Sequence, residues 1–358
     1  MKSKAKLILI SSLIVTFVVG TLVVYGCAPA EAPADEPTAE PVAEEPAEAP
    51  AEGFVVGYDI YWVGNAWSLQ LAEEFKYAIE QEYSDVVKEV HYTSSDGDVA
   101  RNLANFEDLV AKGCDIIFVT PITPDNLIGV VDEAMEQGIK VIIHSSAIDS
   151  DNYTAYINTD DYEWGVKAAE YIAEAVGGEG KVAMINGIAG TGAAADTYAG
   201  AMSVFEQYPD IETLPEVYGD WDSSKTKIVM QDLLAAHPDI DGIWTFSEPG
   251  SIIEVYVDND IPFVPIPFHG ENRELKLWQQ YRDEGLEAAI VVKPSTMSVD
   301  ALHTGMAAIM GQSFEKENIL PPPVYTYDDV DDLILEGMAD RIRVPTYLPE
   351  EKLRELFD

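Results

Sequence analysis

Residues 113–144 read GCDIIFVTPITPDNLIGVVDEAMEQGIKVIIH. Residues 115–120 are apolar and rich in β-branched side chains, as in a strand covered on both faces. Residues 125–137 carry apolar side chains at helical spacing, and Gly138 closes the run. Residues 140–144 are again apolar and strand-like. Strand, helix and strand within about 30 residues predict a βαβ unit, two parallel strands joined by a crossover helix.

The same alternation extends in both directions. Upstream, residues 54–58 form a short apolar run, and 67–81 have helical spacing with Leu71, Phe75, Ala78 and Ile79 on one face. Residues 87–92 read as a strand, and 99–112 as a helix with Leu103, Phe106, Leu109 and Val110 inward. Downstream, helices are predicted over 161–176, 192–208, 223–236, 251–258, 273–283 and 295–310. Strands or extended segments fall at 181–185, 211–218, 242–246, 263–268 and 288–292. The fold class is therefore α/β: parallel sheets flanked by helices, in two series that suggest two lobes of similar architecture.

Composition bounds the function. The chain has 358 residues, 47% of them apolar, enough for roughly two domains. A net charge of −43 excludes the basic surface of a nucleic-acid binder, so no nucleic-acid partner is expected. Two cysteines, Cys27 and Cys114, exclude a disulfide scaffold and a Cys-rich zinc site. Cys114 reads as a small buried apolar residue. One apolar run near membrane-spanning length exists, at the N-terminus, which excludes a multispan protein.

That run is an address. Lys2, Lys4 and Lys6 precede apolar residues 7–24, which end in Val23-Val24-Tyr25-Gly26-Cys27. The pattern looks like a bacterial lipobox: residues 1–26 form the signal, and Cys27 is the lipidated first residue of the mature chain. An uncleaved membrane anchor is the other reading; either puts the rest of the chain outside the cytoplasm. Residues 28–52, nearly all Pro, Ala and Glu, have nothing to bury and form with Cys27 a disordered acidic tether over 27–52. Setting aside the tether's eight acids and the three signal lysines leaves 56 acids against 18 bases, so the folded part is itself acidic. A solvated acidic surface is the plain reading, attraction for a cationic ligand the sharper one.

Sites in parallel sheets lie beyond the carboxyl ends of the strands. Those ends hold Trp, Tyr, Asn, Ser, Asp and His, which suits a small polyhydroxylated ligand: aromatic faces cover C–H patches while polar side chains bond hydroxyls. Trp62, Trp67, Trp221 and Trp244 fall at or near such ends, Trp244 with an equal claim to the core. There is no G-x-S-x-G elbow, no H-E-x-x-H and no close His/Cys cluster. His144 and His269 both follow strands and could meet in one cleft, as hydrogen-bonding groups or as a two-His metal site. The loop 187–192, GIAGTG, reads as a tight strand-to-helix turn whose N–H groups face the cleft. No cofactor, metal or catalytic residue is expected.

The stretches 186–194 (NGIAGTGAA), 229–240 (VMQDLLAAHPDI) and 113–117 before Pro121 are similar to those of ribose/galactose-type substrate-binding proteins of ABC transporters. The resemblance covers about residues 53–330. It implies a type I periplasmic-binding-protein fold whose two Rossmann-like lobes, 53–157 with 294–324 and 158–293 with 325–358, are joined by three hinge crossings near 156–159, 292–295 and 323–326. It implies a sugar captured between lobes, an ABC permease as partner, a membrane held through the Cys27 lipid, and a monomer. Asn65 and Trp67 fit the family's first-loop pattern. Ser145-Ser146 stand in place of its Asp-Arg, Tyr198 lies nearest its helix Arg, Ser247-Glu248 replace Asn-Asp, His269 replaces the Asp of Phe-Asp-Gly, and Lys293 replaces its Gln. Tyr61, Asn65, Trp67, Ser145, Ser146, Tyr198, Trp221, Glu248, His269 and Lys293 are thus the candidate ligand-binding set. Ribose is disfavoured; another sugar, a derivative or a different small solute remain open. A sensor subunit serving a chemoreceptor or histidine kinase is the alternative to transport.

Overall fold

The computed structural model describes residues 53–358; the predicted signal, Cys27 and tether lie outside them. The first lobe begins with β1 (Phe54–Ile60), α1 (Ala66–Glu82), β2 (Val87–Ser94), α2 (Val99–Ala111), β3 (Ile116–Val119), α3 (Ile128–Glu136), β4 (Lys140–His144) and β5 (Ala155–Thr159). The second holds α4 (Asp161–Ala175), β6 (Glu179–Asn186), α5 (Gly192–Phe205), β7 (Asp210–Thr213), β8 (Val217–Tyr218), α6 (Ser223–Ala236), β9 (Gly242–Thr245), α7 (Pro249–Asn259), β10 (Ile266–Phe268), α8 (Asn272–Tyr281) and β11 (Ala288–Val291). The chain returns through α9 (Met297–Ile309) and β12 (Glu317–Leu320), crosses to β13 (Val324–Tyr325) and α10 (Val330–Leu333), and ends in α11 (Glu350–Phe357).

The first sheet has the order β12-β5-β4-β3-β1-β2, and every pairing in it is parallel. In the second lobe β6 pairs in parallel with β7, β8 and β9, β10 with β11, and β13 closes antiparallel on β11. The Ile243 N–H donates to the Pro265 carbonyl at 3.0 Å, which joins the two ladders. Strand residues alternate between faces. Ile116, Phe118 and Ile142 pack under α1 and α9 with Leu71 and Phe75; Ile117, Val119, Val141 and Ile143 pack under α2 and α3 with Phe106 and Leu109. Both faces of a parallel sheet are thus covered by helices.

The helices α4 and α5 touch backbone to backbone. A Cβ added to Gly165 would lie 1.9 Å from the Thr197 carbonyl oxygen, and one on Gly200 would lie 2.0 Å from that of Tyr162. Glycine is the residue that permits this approach.

The alternation predicted from sequence is present, with β4 and α6 at the predicted residues. Five strands differ from the sequence reading. β5 occupies the residues predicted as the first crossing and β13 those predicted as the third, β12 lies in a stretch read without elements, and 211–218 is split into β7 and β8 along the edge of β6. β10 is shorter than predicted and begins directly after Pro265, whose nitrogen has no N–H for a ladder. The chain passes between sheets at Asp160, over 292–296 and through the prolines 321–323, the outer two displaced from expectation.

The C-terminal segment departs most. It was expected to pack on the second lobe, and Val330 and Ile334 do enter that core. Residues 338–357 instead form a strap over α1 of the first lobe, where Met338, Ile342, Leu348, Leu353 and Phe357 bury against Ala66, Leu69 and Tyr77. Five large apolar side chains find on α1 a surface they could not leave to water.

Candidate functional site

The carboxyl ends of both sheets face a common cleft, which holds about 730 Å³ of non-atom space, its open mouth included. Nine of the ten candidate residues line it: Tyr61, Asn65, Trp67, Ser145 and Ser146 from the first lobe, Trp221, Glu248 and His269 from the second, and Lys293 from a crossing. The lobes meet at its rim, where the Tyr61 ring lies 6.4 Å from Trp221, edge on.

Local structure sets each group. Asn65 caps α1: its side-chain oxygen accepts from the Ser68 N–H and hydroxyl, both at 2.9 Å, which places Trp67 on the first turn. Trp221 has a positive φ of 51°, and a Cβ on Gly187 would lie 2.2 Å from its ring, so the indole rests on bare backbone. Three indole N–H groups are spent on main-chain carbonyls: Trp67 on Lys293 at 2.7 Å, Trp221 on Phe246 at 2.7 Å, and Trp164 on Val291 at 2.8 Å. These tryptophans therefore offer the cleft their faces and C–H edges. Phe246 lies 4.7 Å and His269 5.1 Å from Trp164, continuing the aromatic wall.

The polar groups are fixed as firmly. Lys293 Nζ donates to both oxygens of Asp161, at 2.6 and 2.8 Å, and to the Ser145 carbonyl at 2.9 Å. Burial pushes the Asp161 carboxyl up, and Lys293 opposes it. His269 Nε2 lies 3.0 Å from the Thr245 carbonyl, so Nε2 is the donor and Nδ1 an acceptor. Burial, with Arg343 nearby, pulls its imidazole down to about 3 and keeps it neutral. Glu248 is 4% exposed, and burial beside Glu271 and Glu274 pushes its carboxyl up to about 8 against the opposing pull of Arg343 and Arg273.

The remaining candidates lie elsewhere, and two expectations, for Tyr198 and for a meeting of His144 with His269, need correcting, while Trp244 takes the core place of its two readings. Tyr198 does not line the cleft: nearly two turns into α5, it packs edge-on to Trp244 at 6.3 Å, while Thr191 and Ala193 at the start of that helix take the cleft positions. Trp244 is fully buried in the core. His144 does not meet His269; it is buried in the first lobe, stacked on Tyr58 at 5.5 Å. Among the described residues no group of three or more His, Cys, Asp or Glu could hold a metal, and no helix is long and apolar enough to cross a membrane. Cys114 is buried with a free thiol.

The sequence reading missed Trp164, Phe246 and Arg343. Phe246 follows β9 directly, and strand-end position could have found it. Trp164 sits on α4 at core spacing, and Arg343 arrives on the strap; neither carries a local signal.

Two α/β lobes with parallel sheets, three crossings and an aromatic cleft between strand ends define the type I periplasmic binding fold. A family model described as the periplasmic binding protein domain matches residues 56–313, and the chain belongs to that family. It is 22% identical over 265 residues to the ribose import binding protein RbsB of Bacillus subtilis, covering 74% of this chain and 84% of that one. Among solved structures, an ABC transporter solute-binding protein from Mycobacterium smegmatis with bound glycerol superposes with a TM-score of 0.70 at 20% identity, over 81% of this chain and 99% of that one. The fructose-binding periplasmic domain of a hybrid two-component system superposes with a TM-score of 0.69 at 22% identity, over 78% and 93%.

Proposed function

We propose that this protein is an extracytoplasmic receptor, anchored by a lipid on Cys27, that captures an uncharged sugar or sugar derivative and delivers it to an ABC permease. One observation carries the reading of the ligand. The cleft presents tryptophan faces whose N–H groups are already engaged, interleaved with hydroxyl, amide, carboxyl and imidazole groups. Flat apolar surface beside polar groups suits the C–H faces and hydroxyls of a pyranose, furanose or polyol. Lys293 pairs with Asp161, and Arg343 lies among the carboxyls of Glu248, Glu271 and Glu274, which favours a neutral cargo. Capture requires no chemistry: two lobes close on the ligand by hinge motion and expel water from it. The protein acts as a monomer.

The test is calorimetric titration of the purified protein with ribose, allose, fructose, arabinose, myo-inositol, xylitol and glycerol. A sugar of this set binds, and Trp67→Ala weakens it on the order of tenfold or more through lost stacking, with folding retained. Binding of nucleosides or amino acids alone overturns the reading. Lipidation is read by loss of membrane association in Cys27→Ala.

A second reading is sensing. The structural likeness to a domain of a hybrid two-component system supports it. Deletion of the gene for this chain separates the two: uptake of the sugar fails in one case, and only the transcriptional response to it in the other.

A further inference from the structure

We propose that Arg343 and Glu248 together grip two neighbouring hydroxyls of the ligand, Arg343 being supplied by the C-terminal strap rather than by either lobe. The proposal rests on the sugar-binding reading of the cleft. Both residues line it, and both are buried, at 5% and 4% exposure. Lys293, the other cation of the wall, is fully engaged at 2.6–2.9 Å, so Arg343 is the cleft's under-used donor.

The geometry of the pair is loose where an ion pair would be tight. The Arg343 guanidinium reaches Glu248 only at 3.4 Å and Glu274 only at 3.9 Å, and its buried Nε has no partner. Charge-assisted bonds ordinarily run about 2.7–2.9 Å. The second oxygen of Glu248 is held equally loosely, by the Ser223 hydroxyl at 3.4 Å and Arg273 at 3.7 Å. A guanidinium has five donors, and a carboxyl offers acceptor positions on both oxygens whether or not it holds a proton, so this neighbouring pair has capacity that the protein leaves unfilled. A vicinal diol fits it: each hydroxyl accepts from an N–H and donates to a carboxyl oxygen.

The main chain of Arg343 is by contrast fixed. Gln70 of α1 accepts from its N–H at 3.0 Å and donates to its carbonyl at 2.9 Å, and the same amide donates to the Ser295 hydroxyl at 3.2 Å beside a crossing. On the other side the Val344 N–H donates to the Gly270 carbonyl at 2.8 Å, and Arg343 pairs as an antiparallel bridge with Glu271. A rigid backbone presenting an under-bonded side chain is a preorganised contact. A plain counter-ion role would leave no such mismatch, since Glu271 already has Arg273 at 3.2 Å. The strap lies beyond residue 313, outside the span matched by the family model.

Calorimetric titration of wild type, Arg343→Lys and Glu248→Gln with the sugars named above, and with every monodeoxy form of the one that binds, tests this. Each variant is expected to lose on the order of 100-fold in affinity for that sugar, as for hydrogen bonds to charged groups. In wild type, two adjacent monodeoxy positions each cost tenfold or more, and the same deoxy sugars lose nothing further in Arg343→Lys. A bound sugar with unchanged affinity in both variants overturns the pair and leaves the receptor reading intact. No binding of any sugar to wild type overturns both. If the variants fail to fold by circular dichroism, the wild-type deoxy series decides: losses confined to isolated positions overturn the pair.

Discussion

At the scale of single residues, Lys293 shows how a charge is kept inside an aromatic cleft. Its ammonium is 9% exposed and meets Asp161, 4% exposed, in a pair that also holds the Ser145 carbonyl across the lobes. Removing one member strands the other in low dielectric, which costs about 3–5 kcal/mol. Lys293→Met is expected to lower the urea midpoint accordingly, and Lys293→Met with Asp161→Asn to recover most of the loss. Equal midpoints for the single and double variants would show that the pair is not coupled. Which candidate residues reach the cleft also has definite physical reasons at this scale. Asn65, Trp67, Ser145, Glu248 and His269 are found from their positions after apolar runs, because a parallel sheet carries strand ends to one edge. Tyr198 misleads because α5 turns it away from the edge at which that helix begins. Arg343 is silent because a distant segment delivers it.

At the scale of elements, the crossing of α4 over α5 depends on two glycines. A methyl group at Gly165 or Gly200 would meet a backbone carbonyl at about half a normal contact distance, and a carbonyl within a helix cannot turn aside. Gly165→Ala and Gly200→Ala are each expected to destabilise by more than the about 1–3 kcal/mol usual for overpacking, read as thermal unfolding. Alanine ordinarily favours a helix over glycine, so a rise in melting temperature would show that the helices separate freely. Elements with long apolar periodicity were legible: α1, α2, α4 and the strands β3 and β4. β5, with Asn158 and Thr159 in a five-residue run, and β12, an exposed edge strand beginning with Glu317, carry too little apolar pattern to be seen locally. They exist because the growing sheet offers them partners.

At the scale of the whole molecule, titration sets an acid-shifted stability. Burial pushes Glu248 up to about 8 and Glu274 up to about 7 from 4.5, so the native state holds their protons more tightly than the unfolded chain. Their contribution is full at low pH and is lost as pH rises through those values. Burial pulls His144 and His269 down to about 3 from 6.5, so the native state holds their protons less tightly, and their contribution is lost as pH falls below 6.5. The two effects oppose one another between about pH 4.5 and 6.5. Chemical unfolding is therefore expected to give greatest stability in that window and a decline towards pH 8, with Glu248→Gln flattening the decline. The net charge of −43 acts in the same direction, since protonation of surface acids relieves self-repulsion. A maximum at pH 8 would contradict the assignment.

Two of the cleft's tryptophans come from different lobes yet hang from one segment. Trp67 is bonded to the carbonyl of Lys293, and Trp164 to that of Val291, at the end of β11 and the start of the middle crossing. In the hinge closure proposed above, these two rings would stay with the pivot, whereas Tyr61 and Trp221, which meet at the rim, would travel with their lobes. The former pair is a floor and the latter a lid. Docking on the floor is then a bimolecular event whose rate grows with sugar concentration, and covering by the lid is a unimolecular event whose rate saturates. Under the proposed capture of a sugar, selectivity between rings would be exercised on the floor, before closure, and residence time would be set by the lid.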